Sequence, residues 1–392
     1  MNEATRHFIS GHLNDDVYSL KLQETKFPEV DMALAIRQIL GKQKVKHKIP
    51  AFFECDELLF PQKLSLEQAS SEITAKHKTA GCEGKVLIDM TGGFGVDSYF
   101  FSFNFEKVIY VERQTELCEL ASHNFGALNR KNIQVINNSA ENQLEKTDYA
   151  DWIYLDPARR TGAGKKAVLL SDCEPDVSLL AGQLLAKSNQ VMIKLSPMID
   201  ISGLINELPS ISEIQIIAVE NECKEVVTVL RSQKADKIRV KTVNYTTRNK
   251  TETFDFQLDD EQSAQVSFTS QLQNYLYEPN SAVMKSGAFK LISERFRINK
   301  LHVNSHLYTS DTFIPDFPGR IFLIERIYDF SKNELKQFQT DIRSANLSIR
   351  NLPMTVENLR KKLKISEGGD IYVFGTTLND GKKVLLSCRK AK

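Results

Sequence analysis

The chain has 392 residues, more than one hydrophobic core usually serves, so two or three domains are expected. Charged residues make up 26% and hydrophobic residues 41%, an ordinary globular balance that excludes a disordered or fibrous chain. No apolar run approaches the roughly 18 residues of a membrane span and the start MNEATRHFISGH is too polar for a secretory signal, so a cytoplasmic protein is expected.

Residues 1–80 read as a helical N-terminal region in which Pro50 and Pro61 interrupt the pattern and Lys42, Lys44, Lys46, His47 and Lys48 form a basic run. The Ser65 hydroxyl with Gln68 makes a Ser-x-x-Gln capping box, which predicts one helix from Ser65 to about Lys78 with Ser70, Ser71 and Thr74 on its polar face.

The sharpest signal follows. Val86-Leu87-Ile88 is a buried-strand pattern ending at Asp89, and Gly92, Gly93 and Gly95 then permit a tight turn and close approach of the backbone to a ligand. Ser98 stands where a dinucleotide fingerprint needs its third glycine, and no Gly-Lys-Ser/Thr phosphate loop exists. What remains, Asp89-x-Thr91-Gly92-Gly93-Phe94-Gly95-x-Asp97, resembles motif I of class I S-adenosylmethionine (SAM) methyltransferases, with Thr91 in place of a common first glycine.

Later segments arrive in the order this resemblance implies. A strand over Val108–Val111 ends at Glu112, where a carboxylate can accept two hydrogen bonds from ribose hydroxyls. Ala121 and Asn124 have an Ala-x-x-Asn spacing similar to many RNA methyltransferases, and the strand Ile133–Ile136 leads to Asn138-Ser139-Ala140-Glu141, the adenine region of the family. The resemblance places the cofactor on Asp89, Thr91, Gly92, Gly93, Gly95, Asp97, Glu112, Arg113, Ser139 and Ala140.

A fourth strand ends in Leu155-Asp156-Pro157-Ala158-Arg159-Arg160. An acid followed by a rigid proline at a strand's carboxyl end can aim a carboxylate at a substrate, so the catalytic residues are expected to be Asp156, Pro157 and Arg159, with Arg160 contacting substrate. The motif resembles the Asp-Pro-Pro-aromatic motif of amine methyltransferases with Arg159 in the aromatic's place. It also resembles the Asp-Pro-x-Arg-x-Gly motif of uracil-C5 methyltransferases. The latter chemistry needs a cysteine after the fifth strand, and Val191–Leu195 continues instead as Ser196-Pro197-Met198, which argues against covalent carbon methylation. Trp152 and Tyr154 read as core, since central parallel strands are buried on both faces. Glu213–Val219 and Glu225–Leu230 form a predicted hairpin around Glu220-Asn221-Glu222.

A β-hairpin extension is expected within 233–274, from Lys237–Tyr245 and Glu252–Leu258. Beyond it the charge changes sign. Residues 276–392 carry 20 Lys and Arg against 12 Asp and Glu, while the whole chain is only +1. Basic side chains that release counterions from phosphates give sequence-independent nucleic-acid affinity, and Lys285, Lys290, Arg297 and Lys361 are the candidate contacts. The tail reads as helix Val356–Leu363, turn Gly368-Gly369, and strands Ile371–Gly375 and Lys383–Ser387 around Asn379-Asp380-Gly381.

The six cysteines are dispersed without Cys-x-x-Cys spacing, arguing against zinc and against a disulfide framework. His302 and His306 have a metal-pair spacing but no third ligand, so no metal is expected.

The whole order resembles a bacterial family of SAM-dependent methyltransferases with a ferredoxin-like segment and a C-terminal THUMP-like domain. The fold class it implies is α/β: a Rossmann-like class I methyltransferase sheet with a helical N-terminal region and a small α+β C-terminal module. The domains would be 1–80, 81–232 for SAM binding, 233–274, 275–320 for the ferredoxin-like segment and 321–392 for the THUMP-like module. SAM is the implied cofactor and RNA, tRNA or rRNA, the implied partner, with N-methylation of a base as the expected reaction. A methyltransferase of a protein or small molecule, or a non-catalytic SAM- or RNA-binding protein, is the alternative. Nothing in the residues speaks to oligomeric state.

Overall fold

The computed structural model describes residues 1–159, 170–233, 235–247 and 250–391, and of Arg159 the backbone alone. The chain divides into two compact units, residues 1–212 with 225–235, and residues 213–224 with 236–391. Among the described residues no helix is long and apolar enough to cross a membrane.

In the first unit β1 (Gly84–Asp89), β2 (Phe105–Glu112), β3 (Ile133–Asn137), β4 (Ala150–Leu155) and β5 (Ser188–Leu195) pair in parallel in the order 5-4-1-2-3. The inner positions of β1, β2, β4 and β5 are mostly Val, Ile, Leu and aromatic residues, buried because helices cover both faces of a parallel sheet, while the edge strand β3 is only partly buried. Trp152 and Tyr154 lie in this core. The chain then forms β6 (Ile211–Val219) and β7 (Glu222–Arg231), joined by Glu220 and Asn221, both at positive φ. Within the first unit β7 runs antiparallel to β5, and the Arg231 amide donates to the Ser210 carbonyl at the hairpin base.

The N-terminal helices belong to the same unit. Val45, Ile49, Phe52, Leu58, Phe60 and Leu66 share one buried cluster with Phe94, Tyr99, Tyr110 and Phe125, so this region packs directly on the glycine-rich turn. Asn124 fastens it: its amide group both accepts from the Leu59 N–H and donates to the Leu59 carbonyl, each at 2.9 Å. Three lysines of the basic run are partnered here as well. Lys42 bonds Asp56, Lys44 bonds Glu67, and Lys48 donates to the Leu66 and Glu67 carbonyls.

The single helix expected from Ser65 is two helices, Lys63–Gln68 and Glu72–Thr79. Ala69 is extended, and Ser71 rather than Ser65 supplies the capping hydroxyl, to the Thr74 amide. The break turns Ser70 inward, where it is buried and bonds Asp97 and Lys78.

In the second unit β8 (Arg239–Tyr245) pairs antiparallel with β9 (Thr251–Gln257), as expected, and parallel with β6. A seven-stranded sheet follows in the order Asn299–Lys300, Tyr308–Ser310, Tyr275–Pro279, Gly319–Asp329, Lys383–Lys390, Ile371–Thr377, Asn346–Arg350. The helices Lys332–Asp341 and Val356–Leu363 bury Phe338, Leu359 and Leu363 against Tyr328, Val373 and Leu385. The Tyr277-Glu278-Pro279-Asn280 segment is structural. Asn280 caps the helix Ser281–Ser286, and the buried Glu278 carboxylate bonds both Arg320 and Arg350.

Candidate active site

The carboxyl ends of β1, β2 and β4 bring Asp89, Glu112 and Asp156 to one edge of the first unit's sheet. That edge is where open α/β sheets bind ligands. Asp89 is buried. It accepts from the Ser98 hydroxyl at 2.6 Å and the Thr91 amide at 3.1 Å, and burial pushes its carboxyl up to about 7 against the pull of those two donors.

The turn after β1 is shaped from below by two aromatic rings. A Cβ on Gly92 would lie 2.1 Å from the Tyr110 ring, and one on Gly95 would lie 2.7 Å from Phe125. Tyr110 also donates its hydroxyl to the Gly93 carbonyl at 2.6 Å. Packing therefore demands glycine at 92 and 95, and at 95 the left-handed φ of +83 demands it as well, as expected of a tight turn. Gly93 is at φ +54, and a Cβ there would meet only the Thr91 carbonyl oxygen, at an ordinary contact distance of 3.8 Å.

Glu112 closes the loop from β2. One oxygen accepts from the Gly93 amide at 3.0 Å and the other from the Gln114 amide at 2.9 Å. Each oxygen retains a lone pair for a further donor such as a ribose hydroxyl. Ser139 caps the helix Ala140–Lys146 through the Asn142 amide, and Asn138 accepts from the Ser139 amide. Arg113 pairs with Glu174 at 2.7 Å on the exposed side.

Asp156 follows β4 with about a third of its side chain exposed at 34%. Its amide donates to the Thr91 hydroxyl at 2.6 Å, tying the glycine-rich turn to the Asp-Pro segment. Pro157 is buried behind it, and Ala158–Arg159 forms a short antiparallel bridge with Cys173–Glu174. The Arg160 assignment lies outside the described residues, as does the Arg159 side chain.

Sequence reasoning missed a buried charged network beneath this edge. Lys194 of β5 contacts Asp156 Oδ2 at 2.5 Å. Lys78 contacts Glu225 at 2.6 Å and Asp97 at 3.1 Å, while Asp97 also accepts from Ser70 and from the Tyr154 hydroxyl, each at 2.8 Å. Asp97 stays below the usual carboxylate range: burial would raise it, but Lys78 and Lys194 outweigh that. Both hydrogen bonds fall on Oδ2, and Oδ1 has the Lys78 ammonium beside it but no hydrogen-bond partner. A lysine in the otherwise apolar run Val191–Leu195 was the one available sequence signal.

The residues at this edge fit SAM. Glu112 could hold ribose, the turn at Gly93 the methionine end, and Asp156, with Asp89 once ionised, could supply the negative charge a sulfonium favours. When bound, SAM supplies an electrophilic methyl group.

The four expected RNA contacts sit in the second unit. Lys285 lies in the last turn of the helix Ser281–Ser286, Lys290 donates to the Gln262 carbonyl at 2.8 Å, and Arg297 and Lys361 are exposed. His302 bonds Asn351, and His306 stacks on Phe289 at 3.7 Å, so the two imidazoles are engaged separately. Among the described residues no group of three potential metal ligands is found.

Residues 275–318 match the family model of a ferredoxin-like domain, and 319–390 that of a THUMP domain-like module. No curated protein shows significant similarity to the chain. Among solved structures, a protein from Porphyromonas gingivalis W83 described as a candidate methyltransferase is 33% identical, covering 99% of this chain and 98% of that one, with a TM-score of 0.89. An rRNA methylase from Streptococcus thermophilus is 12% identical, covering 42% of this chain and 97% of its own, with a TM-score of 0.32. A 16S rRNA N2 G1207 methyltransferase from T. thermophilus, in complex with AdoMet and guanosine, is 14% identical over 44% of each chain, with a TM-score of 0.33. With a third of its residues shared along nearly its whole length with the Porphyromonas gingivalis protein, the chain belongs to the same methyltransferase family, and it carries a ferredoxin-like domain and a C-terminal THUMP-like domain.

Proposed function

We propose that this protein methylates an RNA, tRNA or rRNA, at a nitrogen of a base. The observation that carries the reading is Asp156: a partly exposed carboxylate at the end of β4, fixed by its own amide to Thr91 of the cofactor turn. A group held there can accept a hydrogen bond from an attacking amine and orient its lone pair, which is positioning rather than full deprotonation. Glu112 would bind the ribose hydroxyls and Asp89 would face the cationic end of the cofactor. Arg159 and Arg160 would contact phosphate or base edges through their guanidinium forks. RNA affinity would come from the basic second unit, through Lys285, Lys290, Arg297 and Lys361, and the THUMP domain-like match supports that assignment.

Comparison of methylated nucleosides in total RNA from cells with and without the protein tests this reading. Loss of one N-methylated nucleoside in the deletion, restored by wild type but not by Asp156→Ala, is the expected result. An unchanged nucleoside profile would contradict it and return the choice to a protein or small-molecule acceptor.

A further inference from the structure

Lys194 is the one cation in the otherwise apolar end of its strand, Val191–Leu195. Its neighbours Val191, Met192, Ile193 and Leu195 are buried and apolar, so the buried ammonium is held by charge partners and not by the strand around it. What the charge touches is Asp156, at 2.5 Å through Oδ2. The two ends of this pair are unequally exposed, 11% for Lys194 and 34% for Asp156, so the ammonium lies beneath the carboxylate and leaves that carboxylate an open side.

The other charged groups nearby are engaged elsewhere. Glu225 on β7 and Asp97 on the helix Val96–Phe101 also act on Lys194, but both are bonded by Lys78 of the helix Glu72–Thr79. Tyr154 of β4 spends its hydroxyl on Asp97, Asp89 of β1 is held by Ser98, and Lys48 of the helix Met32–Lys48 donates to two carbonyls. Asp156 is thus the one carboxylate that Lys194 binds directly among the described residues.

We propose that Lys194 is a positioning residue of the methyl-transfer site, which holds Asp156 ionised and anchors Oδ2 so that the other carboxylate oxygen meets the N–H of the substrate. This rests on the functional reading above. Burial drives the Asp156 carboxyl above its ordinary range, and Lys194 is the main force against that drift. On Lys194 itself burial acts downward, yet Asp156, Glu225 and Asp97 outweigh it and keep the ammonium above an ordinary lysine. Removing Lys194 should therefore send Asp156 further up.

The test compares the full-length wild type with Lys194→Met and Lys194→Arg. Asp156 is titrated by carboxyl 13C NMR, assigned with Asp156→Asn, and methyl transfer to RNA is followed against pH. Lys194→Met should raise the Asp156 midpoint by about one pH unit or more and move the acid limb of the kcat profile up with it. It should lower kcat about 100-fold while the Kd for SAM stays within about twofold. Lys194→Arg, which keeps the charge, should restore the midpoint and most of kcat. If Lys194→Met fails to fold, Lys194→Gln takes its place under the same criteria. An Asp156 midpoint and pH profile unchanged by loss of the charge would overturn the proposal. So would equal losses of kcat in the Met and Arg variants, since packing alone would then explain them. The titration needs no turnover, so a wild type inactive on every RNA would reject the functional reading while the role of Lys194 is still decided.

Discussion

Thr91 and Asp156 are joined by a 2.6 Å hydrogen bond in which the Asp156 amide donates to the threonine hydroxyl. The residue standing where motif I commonly has glycine thus couples the glycine-rich turn to the Asp-Pro segment. Thr91→Val removes the acceptor and leaves a polar amide unpaired, at about 1–3 kcal/mol. Steady-state methyl transfer should show kcat falling by about tenfold or more, with Thr91→Ser close to wild type. Asp156→Ala should lower kcat by roughly 10²–10⁴-fold with little change in SAM affinity. Loss of SAM binding as its main effect would remove Asp156 from the substrate side.

The glycines of the turn make separable predictions. Gly92→Ala forces a Cβ into the Tyr110 ring and should cost about 1–3 kcal/mol or more of stability, read as a lowered Tm. Gly93→Ala meets no clash, its nearest neighbour being the Thr91 carbonyl oxygen at 3.8 Å, and should cost only the left-handed backbone term, about 1–2 kcal/mol. Equal effects of the two would contradict the packing account.

Asp89 sets a pH dependence whose sign follows from burial. Its carboxyl is raised from 3.8 to about 7, so the folded protein binds a proton that the unfolded chain has released. Its contribution to stability is therefore full below pH 3.8, declines as pH rises, and is lost once pH passes about 7. A thermal-unfolding series should show Asp89→Asn gaining on wild type across that window. A cationic sulfonium favours the ionised form, so SAM should bind wild type more tightly as pH rises to about 7 and level off above, and Asp89→Asn should flatten the curve.

Exposed cations should act on RNA affinity through salt. Arg297→Ala and Lys361→Ala should each weaken RNA binding at low ionic strength and reduce the slope of log K against log salt by about one for each phosphate no longer neutralised. Slopes identical to wild type would place the RNA elsewhere on the protein.

Asp89, Glu112 and Asp156 were legible in sequence because each ends a hydrophobic strand run and two are followed by residues that force a turn, glycine after Asp89 and proline after Asp156. The tail hairpin was legible for the same local reason, its Asn-Asp-Gly turn. Lys78 and Glu225 were not, since they meet across 147 positions and no local pattern marks a pairing at that distance. The break at Ala69 was hidden too. The Ser65 capping box is a sound local signal, overruled because Ser70 finds Asp97 27 residues away. Tyr110 looked like one more strand residue, and its role beneath Gly92 emerges only when β2 is laid beside β1.

The most direct measurement is transfer of radiolabelled methyl from SAM into RNA prepared from cells lacking the protein, with Asp156→Ala run in parallel. Label entering one RNA species with wild type, and abolished by the substitution, is the predicted result. SAM bound by the wild-type protein with no label entering any RNA would contradict the central claim.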